Sequence, residues 1–299
     1  MKILVTGTTG FIGSHLAVHL AACGHEVIAT ARQPEKLAIL SSLDGIRQAR
    51  LDLQDRAGWT GLLTGCDAVA HVALGWGETG PAMLEHDTAA SVALLEAARE
   101  AGVGKFLYTS STAANGEMSP ANHADRAARP VDLYGATKAA TEMFCRSYAN
   151  TSDMSVHVVR PGYVFGEPAI KGARSQPDQR FHALCESVRN GTPVHLIRHD
   201  GTQFLHVRDL VRVYAKLLEH SAKFSIHYAL SARWRAWGWV AQEAMRIAGL
   251  TLPLDIEDRG YGETPWTFDV SGMRDDLGLS FDNEDRLREH LKWGLSREL

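Results

Sequence analysis

Lys2-Ile-Leu-Val-Thr-Gly7-Thr-Thr-Gly10-Phe-Ile-Gly13 decides how the rest of this chain is read. Lys2–Thr6 is the short apolar run of a buried strand, and from Phe11 apolar residues recur at helical spacing through Leu16 and Leu20. The three glycines fall between the two. Gly7 permits a tight turn, Gly10 lets a phosphate approach the backbone, and Gly13 lets the helix pack closely on the strand. The helix then offers free N–H groups and its positive dipole end to a pyrophosphate. An ordinary strand–turn–helix is the competing reading; the position directly after the first strand decides for a dinucleotide. Thr9, Phe11 and Ile12 lie inside the turn and are expected contacts with the three glycines.

Outward from the turn, β-rich runs alternate with helical patterns. Strands are expected at Lys2–Thr6, Glu26–Ala31, Arg47–Asp52, Ala68–Val72, Lys105–Ser110 and Ser155–Arg160. Helices are expected near Phe11–Ala22, Glu35–Ser41, Gly58–Leu63, Met83–Ala101 and Leu133–Asn150. This alternation predicts an α/β fold, a Rossmann-type doubly wound parallel sheet covered on both faces. Residues 1–160 are expected to form the dinucleotide-binding core. Residues 161–299 read as mainly a smaller, irregular substrate-binding lobe, with some segments returning to the core sheet. Expected there are helices near Gln179–Asn190, Asp209–His220, Trp237–Gly249 and Asn283–Trp293, and strands at Val194–Ile197, Phe204–Val207 and Ile226–Leu230.

Composition narrows the function classes. The chain has 299 residues, 45% of them hydrophobic, enough for a large core. A net charge of −4, with both signs interspersed, leaves no footprint for nucleic acid or an anionic membrane. No apolar run approaches the roughly 18 residues of a membrane span, and nothing near the N-terminus reads as a signal-peptide core. Cys23, Cys66, Cys145 and Cys185 form no Cys-x-x-Cys pair and are expected to be free thiols. A cytoplasmic protein acting on a small molecule is the expectation.

The end of the second strand selects the dinucleotide. An acidic residue there holds a ribose 2′-hydroxyl, but the strand runs Val27-Ile-Ala-Thr-Ala-Arg32 without a carboxylate. Arg32 suits a 2′-phosphate, assisted by Lys36, although it also fits a solvated loop cation. NADP(H) is favoured and NAD(H) stays open. Asp52 and Leu53 are expected near the adenine.

Tyr134-Gly-Ala-Thr-Lys138 puts a phenol and an ammonium on one helix face. Such an ammonium is expected to lower the phenol's pKa and yield an acid/base usable near neutrality. Upstream, Tyr108-Thr-Ser-Ser111-Thr112 ends a strand at the edge of the sheet where ligands bind. On these motifs the chain resembles the extended short-chain dehydrogenase/reductase family, the NAD(P)-dependent epimerase/dehydratase group. His71-Val-Ala73, Leu94-Leu-Glu-Ala-Ala98, Arg160-Pro-Gly-Tyr-Val-Phe-Gly166 and Gly201-Thr-Gln-Phe-Leu-His-Val-Arg-Asp209 extend the resemblance over nearly the whole chain. The resemblance implies that Tyr134 is the general acid/base and that Lys138 holds the nicotinamide ribose. It also implies that Ser111 orients the substrate oxygen, with Thr112 as the fallback. His71, Val72 and Ala73 would line the cofactor, and Pro161, Tyr163 and Val164 would flank the nicotinamide. A homodimer through the helices near Met83–Ala101 and Leu133–Asn150 is implied in the same way.

Three departures bear on the substrate. Family dehydratases carry carboxylates where Thr112 and Ala113 follow Ser111, which disfavours elimination. Tyr163 takes the place of an asparagine, and Thr202 that of an arginine, that contact nucleotide-sugar phosphates in many members. Arg174, Arg180 and Arg198 are the remaining candidates for such a role. Trp76, in a glycine-flanked loop, and Tyr163 are candidate substrate contacts with Thr112 and Arg174. Trp234, Trp237 and Trp239 read as helix packing. His15, His19 and Cys23 share a helical spacing, as do His195 and His199, but neither set has the glutamate of a His-Glu-x-x-His site, so no metal is expected. The expected activity is hydride exchange between nicotinamide and a carbinol or carbonyl carbon. A nucleotide-sugar epimerase with retained cofactor and a non-catalytic NADP(H) sensor are the alternatives.

Overall fold

A computed structural model of the chain describes residues 1–40 and 43–296. Seven strands form one parallel sheet: β1 (Lys2–Val5), β2 (Glu26–Ala31), β3 (Ile46–Arg50), β4 (Ala68–His71), β5 (Lys105–Thr109), β6 (Ser155–Pro161) and β7 (Phe224–Ala229). Their spatial order is β7-β6-β5-β4-β1-β2-β3. In register, Leu4 lies opposite Ile28 on one side and Val69 on the other, and all three are fully buried. The apolar runs follow from this, because a parallel strand has both faces covered.

The chain winds from β1 out to β3, then crosses back and winds the other way from β4. The crevice between β1 and β4, at the C-terminal ends of the strands, is therefore the binding position of such sheets. One face is covered by α1 (Phe11–Ala22), whose Leu16, Ala17 and Leu20 pack with Leu210, Val213 and Tyr214 of a later helix, Val207–Glu219. The other face is covered by helices at Trp59–Leu63, Ala90–Glu100 and Leu133–Thr151. A separate apolar cluster, with Phe165, Phe181, Phe204, Trp237 and Leu291, is built from residues that follow β6. Trp237 thus sits in packing, and Trp239 lies at the margin of the same cluster.

Several elements differ from expectation. Residues Pro34–Leu40 form 3₁₀ turns rather than an α-helix, and Ser41 lies outside the described residues. The helix expected at 83–101 is interrupted: Gly80–Met83 is α-helical, Leu84–Ala89 is π-helical, and Ala90–Glu100 is α-helical again. Its π segment turns Asp87 inward, as shown below. Val207 opens a helix instead of ending a strand, which leaves only Leu205–His206 extended. Leu254–Glu257, paired in parallel with Val194–Ile197, and the short helix Ser271–Leu277 carry no sequence signal that separates them from loop.

Candidate active site

The glycine turn is built by close backbone approach. Gly7 has φ +71°, and a Cβ there would stand 2.8 Å from the Ala73 amide nitrogen. A Cβ on Gly13 would stand 2.2 Å from the Gly7 carbonyl oxygen, so neither position tolerates a side chain. Thr6 ties the turn to the next strand end: its Oγ1 accepts hydrogen bonds from the Val72 and Ala73 amides, both at 3.0 Å. Gly10 caps α1 without a side-chain hydrogen bond, and the first turn of the helix faces a cavity. That cradle fits a dinucleotide pyrophosphate.

The cavity measures about 1030 Å³ and runs along the C-terminal edge of the sheet. Gly7, Thr9, Gly10, Phe11, Ile12 and Gly13 line its floor. Arg32, Asp52 and Leu53 line the end beyond β2, where no carboxylate follows Ala31. Val72 and Ala73 line the centre, and Ser111, Tyr134, Lys138, Pro161, Tyr163 and Val164 the far end. Trp76 and Arg174 also face it.

His71 and Thr112, expected at the cofactor and the substrate, do not line the cavity. His71 is fully buried behind it. Thr6 Oγ1 already accepts two N–H bonds, so its hydroxyl donates to His71 Nδ1 at 2.8 Å, and His71 Nε2 then donates to Ser91 Oγ at 2.9 Å. Burial, with Lys138 adding to it, lowers the His71 pKa to about 3. His71 is therefore a neutral pin between the strand ends, and only Val72 and Ala73 reach the cavity. Thr112 also falls outside the lining; it begins a 3₁₀ turn capped by Ser111, whose Oγ accepts the Ala113 amide at 3.1 Å.

Tyr134 and Lys138 project from the helix Leu133–Thr151, which Asp132 caps by accepting the Gly135 amide at 2.6 Å. The Ser111 hydroxyl lies close enough to the Tyr134 phenol to act on its titration. Lys138 is buried and ion-paired with buried Asp87, Nζ to Oδ2 at 3.3 Å. Asp87 also accepts the Thr137 hydroxyl at 3.0 Å and the Gly75 amide at 3.3 Å. Burial lowers the Lys138 pKa, with the Asp87 anion opposing it. Burial raises the Tyr134 pKa, the Ser111 hydroxyl opposing it and Asp87 adding to it. The expected lowering of the phenol by Lys138 is thus reversed in the protein alone. The ammonium sits 5.6 Å from the ring centroid, and Asp87 offsets its charge.

Behind Ser111, a buried network fixes the end of β5. Arg160 grips Glu142 through two hydrogen bonds, at 2.8 and 2.6 Å, and Glu142 accepts the Ser110 hydroxyl. Arg160 also donates to the Tyr228 hydroxyl at 3.2 Å, which donates in turn to Asn115 Oδ1 at 2.8 Å. Asp87 and Glu142 were not expected, because their partners lie 51 and 18 residues away with no spacing signal.

At the outer end, Trp76 is 64% exposed, with its ring centroid 6.4 Å from that of Tyr134. Tyr163 is packed among Phe181, Phe204 and Trp237, and its hydroxyl accepts from Gln176 Nε2 at 2.9 Å. Arg180 lies over the Tyr163 ring and pairs with Asp178 and Asp200; Arg198 pairs with Asp258. Neither lines the cavity, so of the three candidate phosphate ligands only Arg174 does. Gln176, Asp178 and His86 are lining residues that sequence reasoning missed. His15 donates to the Glu167 carbonyl at 2.8 Å and His19 lies against Cys23, and no group of three or more potential metal ligands occurs among the described residues.

A family described as NAD dependent epimerase/dehydratase matches residues 3–229. The chain is 32% identical over 238 residues to a dTDP-4-dehydro-6-deoxy-D-allose reductase of Streptomyces bikiniensis, covering 73% of this chain and 72% of the relative. It is 29% identical over 230 residues to an uncharacterised UDP-glucose epimerase of Bacillus subtilis, covering 71% of each. The solved structure of MoeE5 with UDP-glucuronic acid and NAD superposes with a TM-score of 0.79 at 26% identity, over 98% of this chain and 97% of that one. UDP-glucuronic acid 4-epimerase from Bacillus cereus in complex with NAD gives a TM-score of 0.81 at 23% identity, over 98% and 94%, and shares the fold. No helix among the described residues is long and apolar enough to cross a membrane.

Proposed function

The chain belongs to the NAD dependent epimerase/dehydratase family, and from that premise we propose that it is an NADP(H)-preferring oxidoreductase that interconverts a small carbonyl and its alcohol. The observation that carries this is the grouping of Ser111, Tyr134 and Lys138 at one end of the cavity whose floor is the glycine cradle. Val72, Ala73, Lys138, Pro161 and Val164 would hold the nicotinamide end of the cofactor, which would supply hydride chemistry at the substrate carbon. Ser111 hydrogen-bonds the substrate oxygen and holds it beside the phenol. Tyr134 gives that oxygen a proton in reduction and takes it back in oxidation. Lys138, fixed by Asp87, is positioned for the nicotinamide ribose. With that lysine offset by Asp87, the positive charge of an oxidised nicotinamide would be what opposes the burial that holds the phenol protonated.

The preference for NADP(H) rests on Arg32 and on the missing carboxylate after β2. An uncharged substrate is supported by Tyr163, half-buried against the aromatic cluster where many family members carry an amide, and by Thr202. A second reading, epimerisation of a nucleotide sugar on a retained cofactor, is favoured by the relatives, several of which are named as UDP-sugar epimerases. Net change in nicotinamide absorbance with a carbonyl panel supports the first reading. Product formation without net change, from enzyme purified with its cofactor, supports the second. For either, Tyr134→Phe should cut turnover by about a hundredfold or more; unchanged turnover on a proven substrate would refute the assignment. A homodimer is supported by Leu84, Met143 and Phe144, which are apolar and exposed on the two helices expected at its interface. A monomeric sedimentation mass at micromolar concentration would overturn that part.

A further inference from the structure

The loop after Phe165 does more than lead to the second lobe. Its root is fixed by Glu167, whose carbonyl accepts from His15 of α1 at 2.8 Å. The Glu167 carboxylate is held by His290 at 3.1 Å and His206 at 3.4 Å. From there the chain reaches across to the β2 side of the sheet. Ile170 packs against the cluster of Ala29, Ala31, Leu37 and Leu40, and a Cβ on Gly172 would stand 3.0 Å from Ile39 Cδ1. The Ala173 amide closes a turn on the Ile170 carbonyl at 3.0 Å, and Gln176 fastens the return to Tyr163. The segment is a strap, tied at both ends, whose tip rests on the residues flanking Arg32.

Arg174 follows that tip, is exposed, and lines the same cavity as Arg32. Neither arginine makes an ion pair or side-chain hydrogen bond with another described residue, whereas Arg160, Arg180 and Arg198 all have carboxylate partners. Two guanidinium groups without a described partner, brought from distant segments, thus line one cavity, and the strap that carries the second rests on the strand that leads to the first. Guanidinium groups bind phosphate oxygens in a planar, two-pronged way.

We propose that Arg174, carried by the strap 167–174, is the second half of a phosphate site whose first half is Arg32, and that its ligand is the ribose 2′-phosphate of the cofactor. This deepens the proposed NADP(H) preference and rests on it. It reassigns Arg174 from the substrate to the cofactor and makes Ile170 a positioning residue, since it seats the strap.

Binding of 2′,5′-ADP, 5′-ADP and UDP, followed by calorimetry without turnover, tests this. The wild-type protein should bind 2′,5′-ADP at least about tenfold more tightly than 5′-ADP. Arg174→Ala should erase most of that margin and leave 5′-ADP affinity unchanged. Ile170→Ser, which alters no charge, should reduce 2′,5′-ADP affinity in the same direction. If the wild type does not discriminate between the two adenine nucleotides, the NADP(H) reading fails and the strap assignment with it. If it discriminates, and Arg32→Ala weakens 2′,5′-ADP while Arg174→Ala does not, the strap assignment alone is overturned. It is likewise overturned if Arg174→Ala weakens UDP only, which would return this arginine to the substrate.

Discussion

Acidification should unfold this protein well above the pH at which its carboxylates titrate. His71 and His157 are fully buried and His15 is nearly so. Burial lowers their pKa values to about 3, about 3 and about 4, respectively. In the unfolded chain each titrates near 6.5. Above pH 7.5 all three are neutral in both states and the native fold keeps its full stability. As the pH falls below 6.5 the unfolded chain takes up three protons that the folded chain refuses, so stability drops. The slope is about 1.4 kcal/mol per pH unit for each histidine, or about 4 kcal/mol for the three together. By pH 5 the loss reaches roughly 6 kcal/mol, comparable with the whole stability of an ordinary domain, about 5–15 kcal/mol. Urea unfolding followed by tryptophan fluorescence from pH 8 to pH 4.5 measures this directly. His157 Nε2 has no hydrogen-bond partner among the described residues and its Nδ1 meets only the Ser225 hydroxyl, at 2.8 Å, so His157→Leu should leave the fold intact and reduce the slope by about a third. A free energy of unfolding that stays flat between pH 7 and pH 5 would show that these side chains are not held neutral by burial.

Asp87→Ala removes the anion from buried Lys138 and strips the acceptor from Thr137 and Gly75. It should cost about 3–5 kcal/mol of unfolding free energy, read as a fall in urea midpoint at pH 8. Glu142→Gln leaves Arg160 charged and buried. A loss of similar size is expected, with slower turnover because the β5 end carrying Ser111 loses its support; an unchanged Tm would show the network to be dispensable. Gly13→Ala drives a methyl group onto the Gly7 carbonyl. It should cost about 3 kcal/mol or more and abolish adenine-nucleotide binding in calorimetry, because the turn must open to admit it.

Features of the site that depend on local backbone could be read from the sequence. Gly7 and Gly13 are required by contacts six residues apart or by a strand end, and the helical spacing of Tyr134 and Lys138 is itself local. The sheet was legible for the same reason, since a parallel strand buried on both faces is an unbroken apolar run. His71 was misplaced because a strand-end histidine reads alike whether it faces the cavity or the core. Thr6 and Ser91, which decide the matter, are 65 and 20 residues away. Asp87 was missed because it sits in a π segment, where one extra residue per turn shifts the inward face away from regular helical spacing.

Charge within the cavity bears on the choice of substrate. Lys138 stands at the reactive end, but Asp87 pairs with it, so the surroundings of Tyr134 and Ser111 carry no unbalanced positive charge from that lysine. Further out, Asp178 brings a carboxylate to the lining, and its partner Arg180 is spread over Tyr163 and Trp237 rather than over the opening. Arg32 and Arg174, which pair with no described carboxylate, line the same cavity, and the strap that carries Arg174 rests on β2. On the proposed assignment, phosphate recognition is concentrated on the cofactor, and hydrogen bonding to an uncharged oxygen is left to Ser111 and Tyr134. This distribution favours a neutral carbonyl over a nucleotide sugar, against the pull of the relatives' names, and the nucleotide-binding comparison separates the two.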